Sequence, residues 1–81
     1  MGMSDPRTGI RRRIRAHSIS LPSPTHRRAL RESARLTQED IAEVVGVDRA
    51  TVSRWEAGLR EPQGRNRQAY AEALNEILKA V

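Results

Sequence analysis

The chain has 81 residues, a formal net charge of +5 and no cysteine. This length suits one small domain with a thin core, and the absence of cysteine excludes disulfides, thiolate metal sites and cysteine nucleophiles. No apolar run approaches the ~18 residues of a membrane-spanning helix, and the basic N-terminus lacks the apolar segment of a signal peptide. We therefore expect a soluble cytoplasmic protein with no membrane partner.

Positive charge is concentrated near the N-terminus. Residues 1–22 carry five arginines against one aspartate, whereas residues 23–81 carry ten basic and nine acidic side chains. Proline, glycine and serine interrupt the first part, which predicts a flexible basic arm followed by one folded domain. A short strand that pairs with another chain is the alternative for the arm. The arginines expected to contact a DNA backbone or enter a minor groove are Arg11, Arg12, Arg13 and Arg15.

Two predicted helices lie at the ends of the folded domain. The first runs from Pro24–Thr25 to about Arg35, and few of its residues are apolar. The last follows a loop over residues 59–64 and has apolar residues at helical spacing up to the end of the sequence. The side chains expected to face inward from these two helices are Ala29, Leu30, Ala34, Tyr70, Ala73, Leu74, Ile77 and Val81.

Residues 37–56 predict two short helices joined by a tight turn. Thr37 and Asp48 are good N-caps for them, and Gly46 and Gly58 are suited to end them. A small side chain is needed where the two backbones cross, and apolar side chains must lock the second helix onto the first. These inward positions are Ile41, Ala42, Val45, Val47, Val52 and Trp55. This is the helix-turn-helix pattern, whose second helix can lie in the major groove of duplex DNA.

A longer run of residues at fixed spacing joins this pattern to its flanks. It comprises Leu30-Arg31, Leu36-Thr37-Gln38-Glu39, Ile41-Ala42, Val45-Gly46-Val47, Thr51-Val52-Ser53, Trp55-Glu56, Gly58 and Pro62. On these residues the chain resembles the lambda-repressor-like family, the Cro/repressor or XRE type of helix-turn-helix. The resemblance implies an all-α bundle of four to five helices that binds double-stranded DNA and needs no cofactor.

The sequence departs from the family pattern in two places. Asp48 stands where the family usually has Ser, Thr or Gln, and a carboxylate there is repelled by phosphate. The family's usual fifth helix has no counterpart, so we expect Ile77, Leu78 and Val81 to lack a cover. That exposed surface favours a homodimer on DNA. The alternative is that it closes the core of a monomer with help from Ile19 or Leu21.

The resemblance implies roles for individual residues. Gln38 corresponds to a glutamine that contacts a phosphate and supports the reading helix, and Arg31 and Glu56 to a structural pair between the first and third helices. Because Val52 and Trp55 face inward, the residues expected to reach base edges are Arg49, Ala50, Ser53 and Arg54. The other expected phosphate contacts are Thr51, Arg60, Arg65, Asn66 and Arg67, with Arg27 and Arg28 as weaker candidates or solvated charges.

No catalytic or metal-binding arrangement is visible, because His17 and His26 lack carboxylates at triad or metal spacing. We therefore expect no enzyme and no small-molecule substrate. The leading hypothesis is a transcriptional regulator at the nucleoid: a small Cro-like repressor of a phage or mobile element, which binds a palindromic operator as a dimer. Two alternatives remain, the antitoxin of a toxin–antitoxin pair that uses the same DNA face and a protein-interaction adaptor that does not bind DNA.

Overall fold

The computed structural model describes residues 21–80, and within them the chain forms four α-helices and no strand. The helices are α1 (Pro24–Ser33), α2 (Gln38–Val45), α3 (Arg49–Ala57) and α4 (Gly64–Ala80). This order confirms the predicted all-α fold with two short helices in the motif. The basic arm predicted over residues 1–22 lies outside the described residues except for Leu21 and Pro22.

Short polar side chains start the first three helices. The Oγ of Ser23 accepts a hydrogen bond from the backbone N–H of His26 at 3.2 Å. At α2, the Oγ1 of Thr37 accepts from the N–H of Asp40 at 3.0 Å, and the Asp40 carboxylate accepts from the N–H of Thr37 at 2.8 Å. This reciprocal capping box and the Asp48 cap of α3 confirm both predicted N-caps.

Two glycines end the helices of the motif. Gly46 follows α2 with a φ of 89°, and Gly58 follows α3 with a φ of 74°. Both values lie in the left-handed region that glycine adopts without steric penalty, as the sequence predicts. A Cβ added to Gly58 would lie 3.3 Å from the Cγ of Pro24. The end of α3 therefore approaches the start of α1 closely.

Helix α1 ends earlier than the predicted boundary near Arg35. Its last residue is Ser33, and Arg35 adopts a φ of 60°, in the left-handed region. The N–H of Leu36 returns to the carbonyl oxygen of Arg31 at 3.1 Å, which turns the chain toward α2. A residue with a Cβ is strained in this conformation, so the short connection between the two helices carries a local energetic cost.

All four helices contribute to one hydrophobic core. Val52 of α3 is completely buried, and the ring of Trp55 meets that of Tyr70 from α4 at a centroid distance of 4.7 Å and a tilt of 39°. The core cluster consists of Leu30, Ile41, Ala42, Val45, Val52, Trp55, Tyr70, Leu74 and Ile77. Because α3 places two large side chains at its centre, packing fixes which side of α3 faces outward.

One expectation for α1 was wrong, because Ala29 is exposed whereas Arg27 is buried. Residues three and four apart share a helix face, so Arg27 lies on the same side as Leu30 and Arg31. Ala29 is two residues, or about 200°, away from Arg27. The inward face of α1 is therefore partly built from two arginines.

The expectation that the end of α4 lacks a cover holds only in part. Ile77 is buried in the core, which corrects the prediction, whereas Leu78 is half exposed. Leu21, just before α1, is partly buried and packs against the core, as the alternative prediction proposed. Val81 and Ile19 lie outside the described residues.

Replacing Arg35 with glycine should stabilise the domain. Arg35→Gly removes the steric strain of a left-handed residue at an exposed position, a gain of about 0.5–1 kcal/mol in the free energy of unfolding. Urea unfolding followed by the fluorescence of Trp55, the single tryptophan, measures it. Arg35→Ala is the control, since it removes the same charge but retains the Cβ. Equal stability of the two variants would contradict the prediction.

Candidate nucleic-acid interface

Helix α3 has a buried side and an outward side. Val52 and Trp55 lie in the core, so the opposite side of the helix projects from the domain. The four residues on this outward side are Arg49, Ala50 and Arg54, which are exposed, and Ser53, which is half-buried. They are the residues predicted to read bases. Below, this group is called the reading face.

A chain of hydrogen bonds connects the reading face to the interior. The Nη1 of Arg49 donates to the Oε1 of Gln38 at 3.0 Å, and the Nε2 of Gln38 donates to the Oε1 of Glu56 at 3.0 Å. The side-chain amide of Gln38 is thus oriented by a donor on one side and an acceptor on the other. Its second amide hydrogen takes no part in this chain and is available to an outside acceptor.

The chain ends in a buried ion pair between α1 and α3. Arg31 donates to both oxygens of Glu56, from Nε to Oε2 at 2.6 Å and from Nη2 to Oε1 at 3.0 Å. Its Nη1 also donates to the backbone carbonyl of Leu36 at 2.7 Å. Each residue of the pair is only 8% exposed. Two charges at this depth are tolerated because they are paired and hydrogen-bonded.

The pair also shifts the pKa values of its members. Burial raises the pKa of Glu56, but the hydrogen bonds from Arg31 and Gln38 together lower it by a larger amount, so the net shift is downward. The hydrogen bond to Glu56 raises the pKa of Arg31 despite its burial. Both groups therefore keep their charges at neutral pH.

Asp48 caps α3 at the position where the family pattern usually has an uncharged residue. Its Oδ1 accepts from the N–H of Thr51 at 2.8 Å and from the Thr51 hydroxyl at 2.6 Å. These bonds lower the pKa of Asp48. The single hydroxyl hydrogen of Thr51 is occupied in this arrangement. Thr51 therefore has no hydroxyl hydrogen to donate to a phosphate unless it leaves Asp48.

A cleft of about 480 Å³ lies beside the second half of α3. It is bounded by α3, by the α3–α4 loop and by the first turn of α4. Four predicted DNA contacts line it, namely Thr51, Arg54, Arg60 and Asn66. Glu61 lines it as well. Below, it is called the larger cleft. The N–H groups at the start of a helix and nearby arginines form a suitable environment for a phosphate.

A second cleft, of about 440 Å³, lies at the other end of the reading face. Arg49 and Gln38 line it together with Arg28, Arg31 and the cap residue Thr37. The reading face is therefore flanked on both sides by concave surfaces that contain arginine side chains. Of the remaining predicted contacts, Arg65 is exposed and Arg67 half-buried at the start of α4, outside both linings.

Comparison with known protein families decides the assignment of the fold. The family model described as "Helix-turn-helix" matches residues 28–77, which is more than half of the chain. The chain belongs to the helix-turn-helix family. This match confirms the predicted resemblance to the lambda-repressor-like, XRE-type proteins, a family of DNA-binding regulators, and the matched range includes α2 and α3. No curated protein and no solved structure matched the chain.

Part of the predicted DNA interface of this helix-turn-helix protein lies outside residues 21–80, which the structure describes. The arginines of the basic arm, Arg11, Arg12, Arg13 and Arg15, are outside the described residues, as is His17. Among residues 21–80 no group of His, Cys, Asp or Glu is arranged to hold a metal ion. None of the four described helices has the length and hydropathy needed to cross a membrane.

Sequence reasoning missed one member of the helix-turn-helix domain. The sequence predicts a solvated charge or a weak phosphate contact at Arg27, but this residue is 3% exposed and hydrogen-bonded within the protein. A signal was present, because Arg27 precedes Arg31 by four residues and therefore shares its helix face. Its partner Glu61 lies in the α3–α4 loop and could not be assigned from spacing alone.

The free energy of unfolding should decrease in acid, because protonation of Glu56 breaks its ion pair with Arg31. Because folding lowers the Glu56 pKa below its ordinary value of 4.5, its contribution is present above that pH and is lost as the pH falls through the lowered value. Glu56→Gln should cost about 3 kcal/mol at neutral pH, and its deficit relative to the wild type should shrink below pH ~4.

Urea unfolding at a series of pH values measures this difference. Glu76→Gln is the control, because Glu76 is an exposed carboxylate of α4 whose only described partner, Lys79, is 3.6 Å away. Its curve should follow that of the wild type at every pH. A Glu56→Gln deficit that stays constant down to pH ~3 would contradict the stated titration.

Proposed function

We propose that this protein is a sequence-specific regulator of transcription that binds double-stranded DNA, as a small Cro-like repressor, and that it is not an enzyme. The observation that carries the proposal is the reading face, an outward row of side chains on α3 between two arginine-containing clefts. Helix-turn-helix proteins insert such a helix into the major groove. Occupation of a promoter by the protein is then sufficient for repression.

The two arginines of the reading face lie at different positions along α3 and are therefore suited to contact different parts of the DNA. Arg49 lies in the first turn of α3, where recognition helices make most base contacts, and Gln38 holds its guanidinium at 3.0 Å. Such a restrained guanidinium is suited to bidentate contact with guanine O6 and N7. Arg54 lies one turn further on and lines the larger cleft. Ala50 and Ser53 supply a small surface between them, suited to a thymine methyl.

Contacts to phosphate should come from both sides of the reading face. Gln38 retains an amide hydrogen in the second cleft, while Arg60 and Asn66 line the larger cleft. Arg65 and Arg67 add positive charge at the start of α4. These contacts position α3 but carry no sequence information. The arm residues Arg11, Arg12, Arg13 and Arg15 are proposed to strengthen binding through the backbone or a minor groove.

The proposed protein binds a palindromic operator as a homodimer. A groove of about 270 Å³ along α4 is the surface on which we propose that a second copy binds. Leu21, Ala71 and Leu74 line it, and the half-exposed Leu78 forms part of its edge. Two copies related by a two-fold axis place their reading helices about 34 Å apart, one turn of DNA, and so read two half-sites.

Selection from a pool of random duplexes tests the proposal most directly. The expected result is one enriched site with two inverted half-sites about one helical turn apart. Binding to it should persist in the presence of excess random DNA and weaken with salt. Enrichment of a single unpaired half-site would retain the DNA-binding regulator but overturn the dimer. Failure to enrich any site would favour an adaptor that does not bind DNA.

Alanine substitutions on the reading face separate base contacts from phosphate contacts. Arg49→Ala and Arg54→Ala should each weaken binding to the selected duplex by about 1–3 kcal/mol and relax the preference at one base pair per half-site. A repeated selection with each variant, together with titrations of the selected duplex, measures both effects. Lys79→Ala removes the same charge near the end of α4 and is the control. Equal weakening on all sequences would show that the arginine contacts phosphate.

A further inference from the structure

Arg27 makes four hydrogen bonds to three separate segments of the chain. Its Nε donates to the carbonyl oxygen of Pro22 at 2.8 Å, before α1. Its Nη1 donates to the carbonyl oxygen of Trp55 at 3.0 Å, in the last turns of α3. The carboxylate of Glu61 accepts from Nη1 at 3.0 Å and from Nη2 at 2.8 Å. One guanidinium therefore connects α1, α3 and the α3–α4 loop.

Packing alone does not require an arginine at position 27. The side chain of Arg27 is 4% exposed and that of Glu61 is 48% exposed, so most of the desolvation falls on the arginine. Apolar side chains of similar volume often replace a buried ion pair without loss of stability. An arginine at this position is instead suited to fixing the planar carboxylate of Glu61 in one orientation, because its forked donors match a carboxylate geometrically.

The α3–α4 loop is held at several points around Arg60. The N–H of Leu59 donates to the carbonyl oxygen of Arg54 at 3.0 Å, and Pro62 is buried. Glu61, the neighbour of Arg60, is held by Arg27. Arg60 itself is exposed and lines the larger cleft. The backbone that carries Arg60 is therefore fixed on both sides while its guanidinium extends toward the space proposed for a phosphate.

The ion pair also removes an electrostatic conflict in the larger cleft. Glu61 lines the same cleft as Arg60 and Arg54, and an unpaired carboxylate there would repel a phosphate. The hydrogen bonds from Arg27 lower the pKa of Glu61, with a smaller contribution from the charge of Arg67. The loop thus keeps an anchoring carboxylate beside a phosphate site, because its charge is balanced from within the domain.

We infer that Arg27 is a positioning residue for phosphate binding, which acts by holding Glu61 and thereby fixing the loop that carries Arg60. Arg27 is not itself a DNA contact, since each of its three nitrogen atoms already donates within the domain and its side chain is buried. The inference rests on the proposed function, because the ligand of the larger cleft is taken to be a phosphate of duplex DNA. It assigns to α1 a role in DNA affinity that the reading face does not supply.

The test compares Glu61→Gln with Glu76→Gln in the full chain. Both variants remove one negative charge and so change the net charge equally. Because Glu61 lies in the larger cleft, the loss of its repulsion alone would strengthen phosphate binding more in Glu61→Gln than in Glu76→Gln. Glu76 is exposed on α4, about 15 Å along the helix axis from Asn66 of the larger cleft. The probes are the duplex obtained by selection and a shuffled duplex of the same composition. Affinity is measured at several salt concentrations.

Glu61→Gln should bind both duplexes about three- to tenfold more weakly than Glu76→Gln, and its salt slope should decrease by about one. The ratio of the two affinities should remain that of the wild type, since base contacts are unaffected. Arg27→Gln should produce the same pattern relative to Lys79→Gln, which removes an equal charge. In the double variant, Arg27→Gln should cause little further loss, because the two residues act as one unit.

Three outcomes would overturn the inference. Glu61→Gln that binds as tightly as Glu76→Gln, or more tightly, would show that Glu61 does not position the loop that carries Arg60. Losses from Arg27→Gln and Glu61→Gln that add fully would show independent roles. An unchanged salt slope with a reduced affinity ratio would show an effect on the reading face. A selection with wild-type protein that enriches no duplex would overturn the proposed function as well, which distinguishes that failure from the other three.

Discussion

The position of α3 depends on the buried ion pair between Arg31 and Glu56. An uncompensated charge at 8% exposure would be too costly to retain, so each partner requires the other and the two helices are held at one separation. Gln38 donates to the same carboxylate and adds α2 to the arrangement. The reading helix is therefore fixed by a directional set of hydrogen bonds as well as by the packing of Val52 and Trp55, which leaves little freedom in its orientation.

Two arginines on one face of α1 divide the task of holding α3. Arg31 binds the side chain of Glu56, whereas Arg27 binds the backbone carbonyl of Trp55, one residue earlier, and extends to Glu61. Carbonyl groups near the C-terminal end of a helix carry partial negative charge, so a cation there is favourable. In a domain with a thin core, these charged anchors fix the relative positions of helices that few apolar side chains can specify. The buried Tyr70 hydroxyl has no hydrogen-bond partner among the described residues, so it does not contribute to this set.

Local features of this fold were predictable because they depend on residues near one another in sequence. The caps at Thr37 and Asp48 and the left-handed glycines 46 and 58 involve residues no more than five apart. The outward side of α3 followed from its buried side. Arg27 and Glu61 are 34 residues apart, and their contact exists only once α1 lies across the end of α3. The prediction for Ala29 was wrong for the same reason. A helical pattern assigns the apolar alanine to the buried side and the charged arginine to the exposed side. Arg27 is buried instead, because four acceptor atoms, three of them from distant parts of the chain, satisfy its guanidinium.

The side of α3 that carries the reading face is separate from the side that holds the helix in place. The side chains of Ala50 and Ser53 project from a helix whose position is set by Val52, Trp55 and Glu56 on its other side. Exposed positions away from caps and buried networks usually tolerate substitution within about 0.5 kcal/mol of stability. Under the proposed function, changes on the reading face therefore alter base preference while the fold and the proposed phosphate contacts persist. Arg49 is the exception, because its guanidinium is bonded to Gln38 and hence linked to the buried pair. Substitution there should affect both the proposed base contact and the orientation of the Gln38 amide, so the two arginines of the reading face are not equivalent despite their identical chemistry.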